Sequence, residues 1–151
     1  LSQWESPLGD YVNFYRASAL TQAGRPLEAL PVLERLKDDP GTLLRQAASF
    51  AYADSLYAAQ RYWDAIREYE TLLKRFTFWP EEGRARLNLA ACHEKTGRDI
   101  KAAEIYQEIR HSSFPKHVLN EAEKELKAMN LSLYSLVMAQ KERLPMRIIA
   151  I

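Results

Sequence analysis

The strongest constraint on this chain is a period. When Ala65 of "RYWDAIREYETLLKRF" (61–76) is set under Ala29 and Ala102, the spacings are 36 and 37 residues, and other columns then align without adjustment. A small residue recurs at Ala17, Ala53 and Ala90. A turn position reads Gly24, Gln60 and Gly97, each followed by an arginine (Arg25, Arg61, Arg98). Four residues after the aligned alanine stand Leu33, Tyr69 and Tyr106, and three further on Leu36, Leu72 and Ile109. Repetition at this length is the mark of stacked helix pairs, because one pair alone cannot hide its apolar face.

Each column has a physical reading. A small residue in the first helix lets the second approach closely. Glycine at the turn admits a left-handed backbone as the first helix ends. The second alanine marks the helix crossing, and the large residues four and seven positions on fill the seam. First helices are expected near 8–23, 42–59 and 81–96, and second helices near 27–38, 62–76 and 99–111. Ser6-Pro7 reads as an N-cap followed by proline at the first helical position. Pro31 falls inside a second helix, where a proline deletes a hydrogen bond at a cost of ~3 kcal/mol, so that helix is expected to kink or start late. "KHVLNEAEKELKAM" (116–129) is a further amphipathic helix. It either stops at Asn130 or yields to another capped by Ser132 and running to about Arg143, with Pro145 ending that element. The placement of the tail 144–151 is left open.

The expected architecture is therefore all-α, a superhelix of about three helix pairs plus terminal helices in one domain over 1–151. Repeats fall at about 10–40, 46–80 and 83–115, with C-terminal helices over 116–143. Composition agrees: 47% of residues are apolar, 27% are charged and only five are glycine. Twenty-one basic against twenty acidic residues give a net charge of +1 with no basic stripe, which argues against nucleic acid. Cys92 is the single cysteine, so no intramolecular disulfide forms and the redox compartment stays open. The longest apolar run is four residues, against roughly 18 for a membrane span. The chain opens at Leu1 without a signal peptide and reads as a processed protein or excised fragment, which leaves the parent's address open.

These columns resemble the tetratricopeptide repeat, with its small residue in the first helix, turn glycine, alanine in the second helix and closing proline, here Pro40, Pro80 and Pro115. The resemblance covers about residues 10–115. It departs from the family in a period two or three residues longer, in Gln60 at the turn and in Pro31. Two end stretches, "SPLGDYVNFYRASALTQAGRPLEAL" (6–30) and "AAEIYQEIRHSSFPKHVLNEAEKELKAM" (102–129), are similar to the helical superhelix of soluble lytic murein transglycosylases. The second holds Tyr106, Pro115, Ala122 and Leu126 in that family's last-repeat order. This resemblance implies a non-catalytic scaffold of a bacterial cell-envelope protein, periplasmic, with a cytoplasmic address as the alternative. A separate lysozyme-like domain would cut peptidoglycan using a glutamate-serine pair. Glu5-Ser6 precedes the repeats and has no such domain around it, so no catalytic residue is carried over and this segment is read as non-enzymatic. The alternative is a stand-alone adaptor in envelope assembly.

No other chemistry competes strongly. Glu68 with Glu70, and Glu121, Glu123 and Glu125, read as solvated helix charges paired at i,i+4. His93-Glu94 is not a metal-ligand pair of the HExxH kind, and His111 and His117 flank a proline turn, so no metal or cofactor is expected. Cys92, on an alanine-rich helix, reads as a packed thiol, and adjacent His93 points about 100° away from it. No GxSxG, P-loop or dinucleotide glycine pattern occurs.

By family analogy the first helices line an inner groove. The inward positions are Phe14, Ser18 and Gln22, then Phe50, Asp54 and Tyr57, then Leu87 and Asn88 with Arg84 at the rim. Aromatic bodies with polar tips suit an extended peptide or glycan, or else simply pack between repeats. The family's lysine-asparagine carboxylate clamp is not matched at Phe14, Ser18, Phe50 and Asp54. Tyr62, Trp63, Phe76, Phe78 and Trp79 form an aromatic cluster read mainly as core. Expected partners are a protein or an adjacent domain, or peptidoglycan, with no nucleic acid and an open oligomeric state.

Overall fold

The computed structural model describes residues 7–76 and 79–143, with side chains described as far as residue 130. Among the described residues there are seven helices and no strand: α1 (Pro7–Gln22), α2 (Pro26–Asp38), α3 (Arg45–Ala58), α4 (Tyr62–Arg75), α5 (Glu82–Lys95), α6 (Asp99–Arg110) and α7 (Lys116–Arg143). Each helix packs on its neighbour in the chain. The first helices α1, α3, α5 and α7 also touch one another in sequence, so the chain is a stack of hairpins, an α–α superhelix. No described helix is long and apolar enough to cross a membrane.

The alanine columns are the close-contact points. Ala17, Ala53 and Ala90 on the first helices, and Ala29, Ala65 and Ala102 on the second, are all buried. Leu33, Tyr69 and Tyr106, then Leu36, Leu72 and Ile109, fill the seams and are buried too. A further column runs through Ala48, Ala85 and Ala122 at 37-residue spacing, and each is wholly buried. It extends the register into α7, which is therefore the first helix of a fourth unit. The matching residue in α1 is Val12, which no described helix covers and which is exposed.

All three turns close alike. Gly24, Gln60 and Gly97 have φ of 76°, 60° and 75°. The following arginine N–H donates to the carbonyl of Leu20, Leu56 or His93 at 2.9, 2.9 and 2.8 Å, which is the Schellman closure. Open space surrounds the Cβ that Gly24 or Gly97 would carry, so backbone angle alone favours glycine there. Gln60 adopts the same angle with a side chain.

Three expectations need correction. First, α2 starts at Pro26 and continues through Pro31 to Asp38, so it is neither late nor interrupted. Pro26 presets the first turn, while Pro31 and Leu27, whose carbonyl loses its partner, both lie on the exposed side where water can serve. Second, 116–143 is one helix, with Asn130 inside it and no helix start at Ser132. An exposed asparagine costs a helix interior only ~0.7 kcal/mol, too little to end it. Third, α3 begins at Arg45 rather than near 42, after a turn in which Gly41 N–H donates to Asp39 Oδ1 at 2.8 Å. The Ser6 cap, Glu5, Phe78, Pro145 and the tail 144–151 lie outside the described residues, as does the side chain of Ser132.

The aromatic cluster divides. Tyr62, Phe76 and Trp79 pack half-buried against the core, whereas Trp63 is exposed.

Candidate binding groove

The face built by the first helices holds two cavities. One, of about 290 Å³, is walled by Phe14, Phe50 and Trp79, with Ser18, Thr21 and Gln22 from α1, Asp54 from α3, and Glu81 and Arg84 at the start of α5. The other, of about 520 Å³, is lined by Tyr57 from α3, Leu87, Asn88 and Glu94 from α5, Tyr106 from α6, and Glu121 and Glu125 from α7. Of the nine residues the sequence pointed inward, six line the smaller cavity (Phe14, Ser18, Gln22, Phe50, Asp54, Arg84) and three the larger (Tyr57, Leu87, Asn88).

Asp54 stands at the boundary and organises it. Its carboxylate accepts from the Tyr69 hydroxyl at 2.5 Å, from Asn88 Nδ2 at 3.0 Å and from the Arg84 guanidinium at 3.2 Å. Asn88 also donates to the Tyr69 oxygen at 3.1 Å. Because Asp54 lines one cavity and Asn88 the other, this network is the ridge between them. Burial holds the Asp54 carboxyl above its ordinary range, against the pull of Tyr69, Arg84 and Asn88. Tyr69 is pushed well above the usual phenol range, by burial first and the Asp54 charge second, so it stays a hydroxyl donor.

Aromatic geometry shapes the smaller cavity. Phe50 and Trp79 meet nearly at right angles, with centroids 4.9 Å apart. Arg84 lies over the Phe50 ring at 4.3 Å, a cation–π contact that adds to its pair with Asp54. Phe50 is itself a core residue that shows only an edge to the groove. Thr21 and Ser55 hydroxyls, 2.7 Å apart, tie α1 to α3 at this end. In the larger cavity Tyr106 donates to Glu94 at 2.6 Å, and its phenol is pushed up by burial and then by that bond.

Residues 50–116 match the tetratricopeptide repeat family model. The chain is a tetratricopeptide-like helical repeat protein. The matched stretch runs from Phe50, inside α3, through the third unit to the first residue of α7. The α1–α2 pair, with Pro31, lies outside it. No curated protein matches the chain with significant similarity.

The sequence reading missed the carboxylates of the larger cavity. Their signal was in the period: Glu121 and Glu125 stand 37 residues after Arg84 and Asn88, in the same register of the next first helix. Glu94 and Lys95 continue the stripe of Leu87, Asn88 and Ala91 by helical spacing along α5. Trp79 and Glu81 come from the loop leading into α5, where no helical period applies.

Elsewhere the reactive side chains are packed away. Cys92 is wholly buried and its thiol is pushed up to about 12, by burial and then by the Asp54 charge, which leaves it protonated at neutral pH. His93 is buried, with no hydrogen-bond partner at Nδ1 or Nε2. Among the described residues no three of the histidines, cysteine and carboxylates converge to hold a metal ion.

Proposed function

We propose that this tetratricopeptide-like stack is a non-catalytic scaffold whose groove holds an extended segment of a protein partner. One observation carries the reading: side chains from successive first helices, spaced one repeat apart, line neighbouring cavities with aromatic walls and a few fixed polar groups. An extended chain running across successive units would meet the same elements in turn. Such sites owe orientation to placed polar groups and contact area to aromatic bodies, which Asp54, Arg84 and Asn88, and Phe14, Trp79 and Tyr57, would supply.

In its finer form the reading makes the chain the superhelical part of a bacterial envelope protein resembling the lytic murein transglycosylases, beside a catalytic domain in the parent protein. The support is the similarity of stretches 6–30 and 102–129. A stand-alone adaptor in envelope assembly is the alternative.

The test is to fill the smaller cavity. Ser18→Trp puts an indole into a space lined by Phe14 and Trp79 and is checked for unchanged helicity. Proteins captured by the wild-type chain and lost with Ser18→Trp support the groove; identical capture by both overturns it. Co-sedimentation with purified peptidoglycan separates the envelope form: retention that Ser18→Trp abolishes favours glycan binding, and no retention removes peptidoglycan as the groove's ligand.

A further inference from the structure

We infer that the groove takes a basic segment, an extended peptide bearing lysine or arginine side chains; this deepens, and rests on, the reading of the groove as a binding site. The argument is charge placed on a concave surface. The lining residues of the two cavities carry six carboxylates (Asp54, Glu81, Glu94, Asp99, Glu121, Glu125) against two cations, Arg84 and Lys95. The chain as a whole carries one more base than acid. The negative charge is thus concentrated on this face, and the compensating positive charge lies elsewhere. A cleft lined by one sign of charge focuses its field and draws the opposite sign.

The acids are also differently engaged. Asp54 is satisfied by three donors, and Glu94 accepts from Tyr106. Lys124 offsets part of the charge on α7, at 3.2 Å from Glu121 and 3.8 Å from Glu125. Glu81 Oε2 is shielded from solvent without a hydrogen-bond partner, and its side chain makes no cap to α5. A carboxylate oxygen in that state gains from an incoming donor. The acids span α3, the loop before α5, the α5 C-terminus, the start of α6 and α7. Because they do not converge on one point, they fit a chain of spaced cations better than a single metal ion.

The walls suit the same ligand. The aliphatic stems of lysine and arginine lie well on aromatic surface while their heads reach carboxylates. Arg84 already does both within the chain, stacked on Phe50 and paired with Asp54.

The experiment uses three labelled pools of twelve-residue, end-capped peptides with degenerate residues between fixed alternate positions. The fixed residue is lysine, glutamine or glutamate, and binding to the intact chain is read by fluorescence anisotropy. The lysine pool is expected to bind about tenfold more tightly than the glutamate pool at low salt, with the preference shrinking as salt rises. The double variant Glu121→Gln/Glu125→Gln sits on the groove side of α7, where both side chains are partly exposed. It is expected to weaken the lysine pool about threefold, weaken the glutamine pool less than that, and keep its helicity. Equal binding of lysine and glutamate pools, or preference for glutamate, overturns the inference. If the pools bind alike and Ser18→Trp still abolishes binding, the basic class is wrong and the groove stands. If Ser18→Trp leaves lysine-pool binding intact, the groove reading fails as well.

Discussion

The inner face and the outer turn edge of the stack both carry stripes in repeat register, yet they are built in opposite ways. On the outer edge Leu27, Trp63 and Ile100, spaced 36 and 37 residues apart, are 61%, 54% and 75% exposed. They line neither groove cavity. The charges beside them are paired locally: Arg25 with Glu28, Arg61 with Asp64, and Lys101 with Glu104. Arg98 covers the Trp63 ring at 4.6 Å. On the inner face Phe14, Tyr57, Trp79 and Leu87 are each half-buried, Phe50 and Trp79 meet at a fixed angle, and the charge is unbalanced. Exposed apolar residues alone do not make a site; convergent walls and uncompensated charge are the stronger signal.

Substitutions at four positions would break or sharpen that contrast. The largest effect is expected at the inner ridge. Asp54→Ala leaves the buried Tyr69 hydroxyl without its acceptor and takes one of two acceptors from Asn88, and should cost about 2–3 kcal/mol in urea unfolding. Asp54→Asn keeps an acceptor for Tyr69 and removes a desolvated charge, so it should stay within about 1 kcal/mol of wild type. Equal losses for the two would mean that the charge, not the network, matters.

Next comes His93, in the interior between the two faces. It takes the register position of Leu20 and Leu56 but brings two ring nitrogens with no partner. Burial, with Arg98 and Lys101 acting alongside and Glu70 opposing, holds its pKa below the ordinary 6.5. The unfolded chain therefore binds the proton more readily than the folded one. Stability from this group is full above 6.5 and falls as pH drops below it toward the depressed folded value. His93→Leu should stabilise the chain by about 1–2 kcal/mol at neutral pH and flatten this acid slope in thermal melts. Asp54 works in the reverse sense. Its raised folded pKa means that its contribution is greatest at low pH and is lost as pH rises through that value. Asp54→Asn should therefore steepen the net acid loss while His93→Leu reduces it.

A smaller gain is expected at the turn column. Gln60 holds a left-handed angle that costs a residue with a side chain roughly 1 kcal/mol, so Gln60→Gly should raise the unfolding midpoint by that equivalent. The smallest effect belongs to the outer edge. Trp63→Ala forfeits an exposed cation–π contact worth about 0.5–1 kcal/mol and should leave ligand binding unchanged. A binding defect in Trp63→Ala would reverse the assignment of the two faces.

Much of the fold was legible because the period is written in small residues. Alanine at a close helix approach admits few replacements, so its columns survive in the text, and helices and turns follow from them. The column Ala48, Ala85 and Ala122 was equally visible but went unused, which hid α7's place as a fourth first helix and with it Glu121 and Glu125. Pro31 misled because its penalty depends on which side of the helix faces water, something residue type does not reveal. Trp63 shows a similar limit: an aromatic beside core aromatics can still project outward when it sits off the buried arc. His93 has no signature except that it breaks a leucine column. Acids lining the groove and acids in open solvent look alike until curvature brings neighbouring repeats together.

Placing a photo-cross-linking side chain on each face in turn separates them most directly. Substituted at Ser18 or Leu87, it should form covalent adducts with the lysine-bearing peptide pool, while at Leu27 or Ile100 it should form none. Adducts from the outer pair, with none from the inner pair, would contradict the claim that the first-helix face is where this scaffold binds.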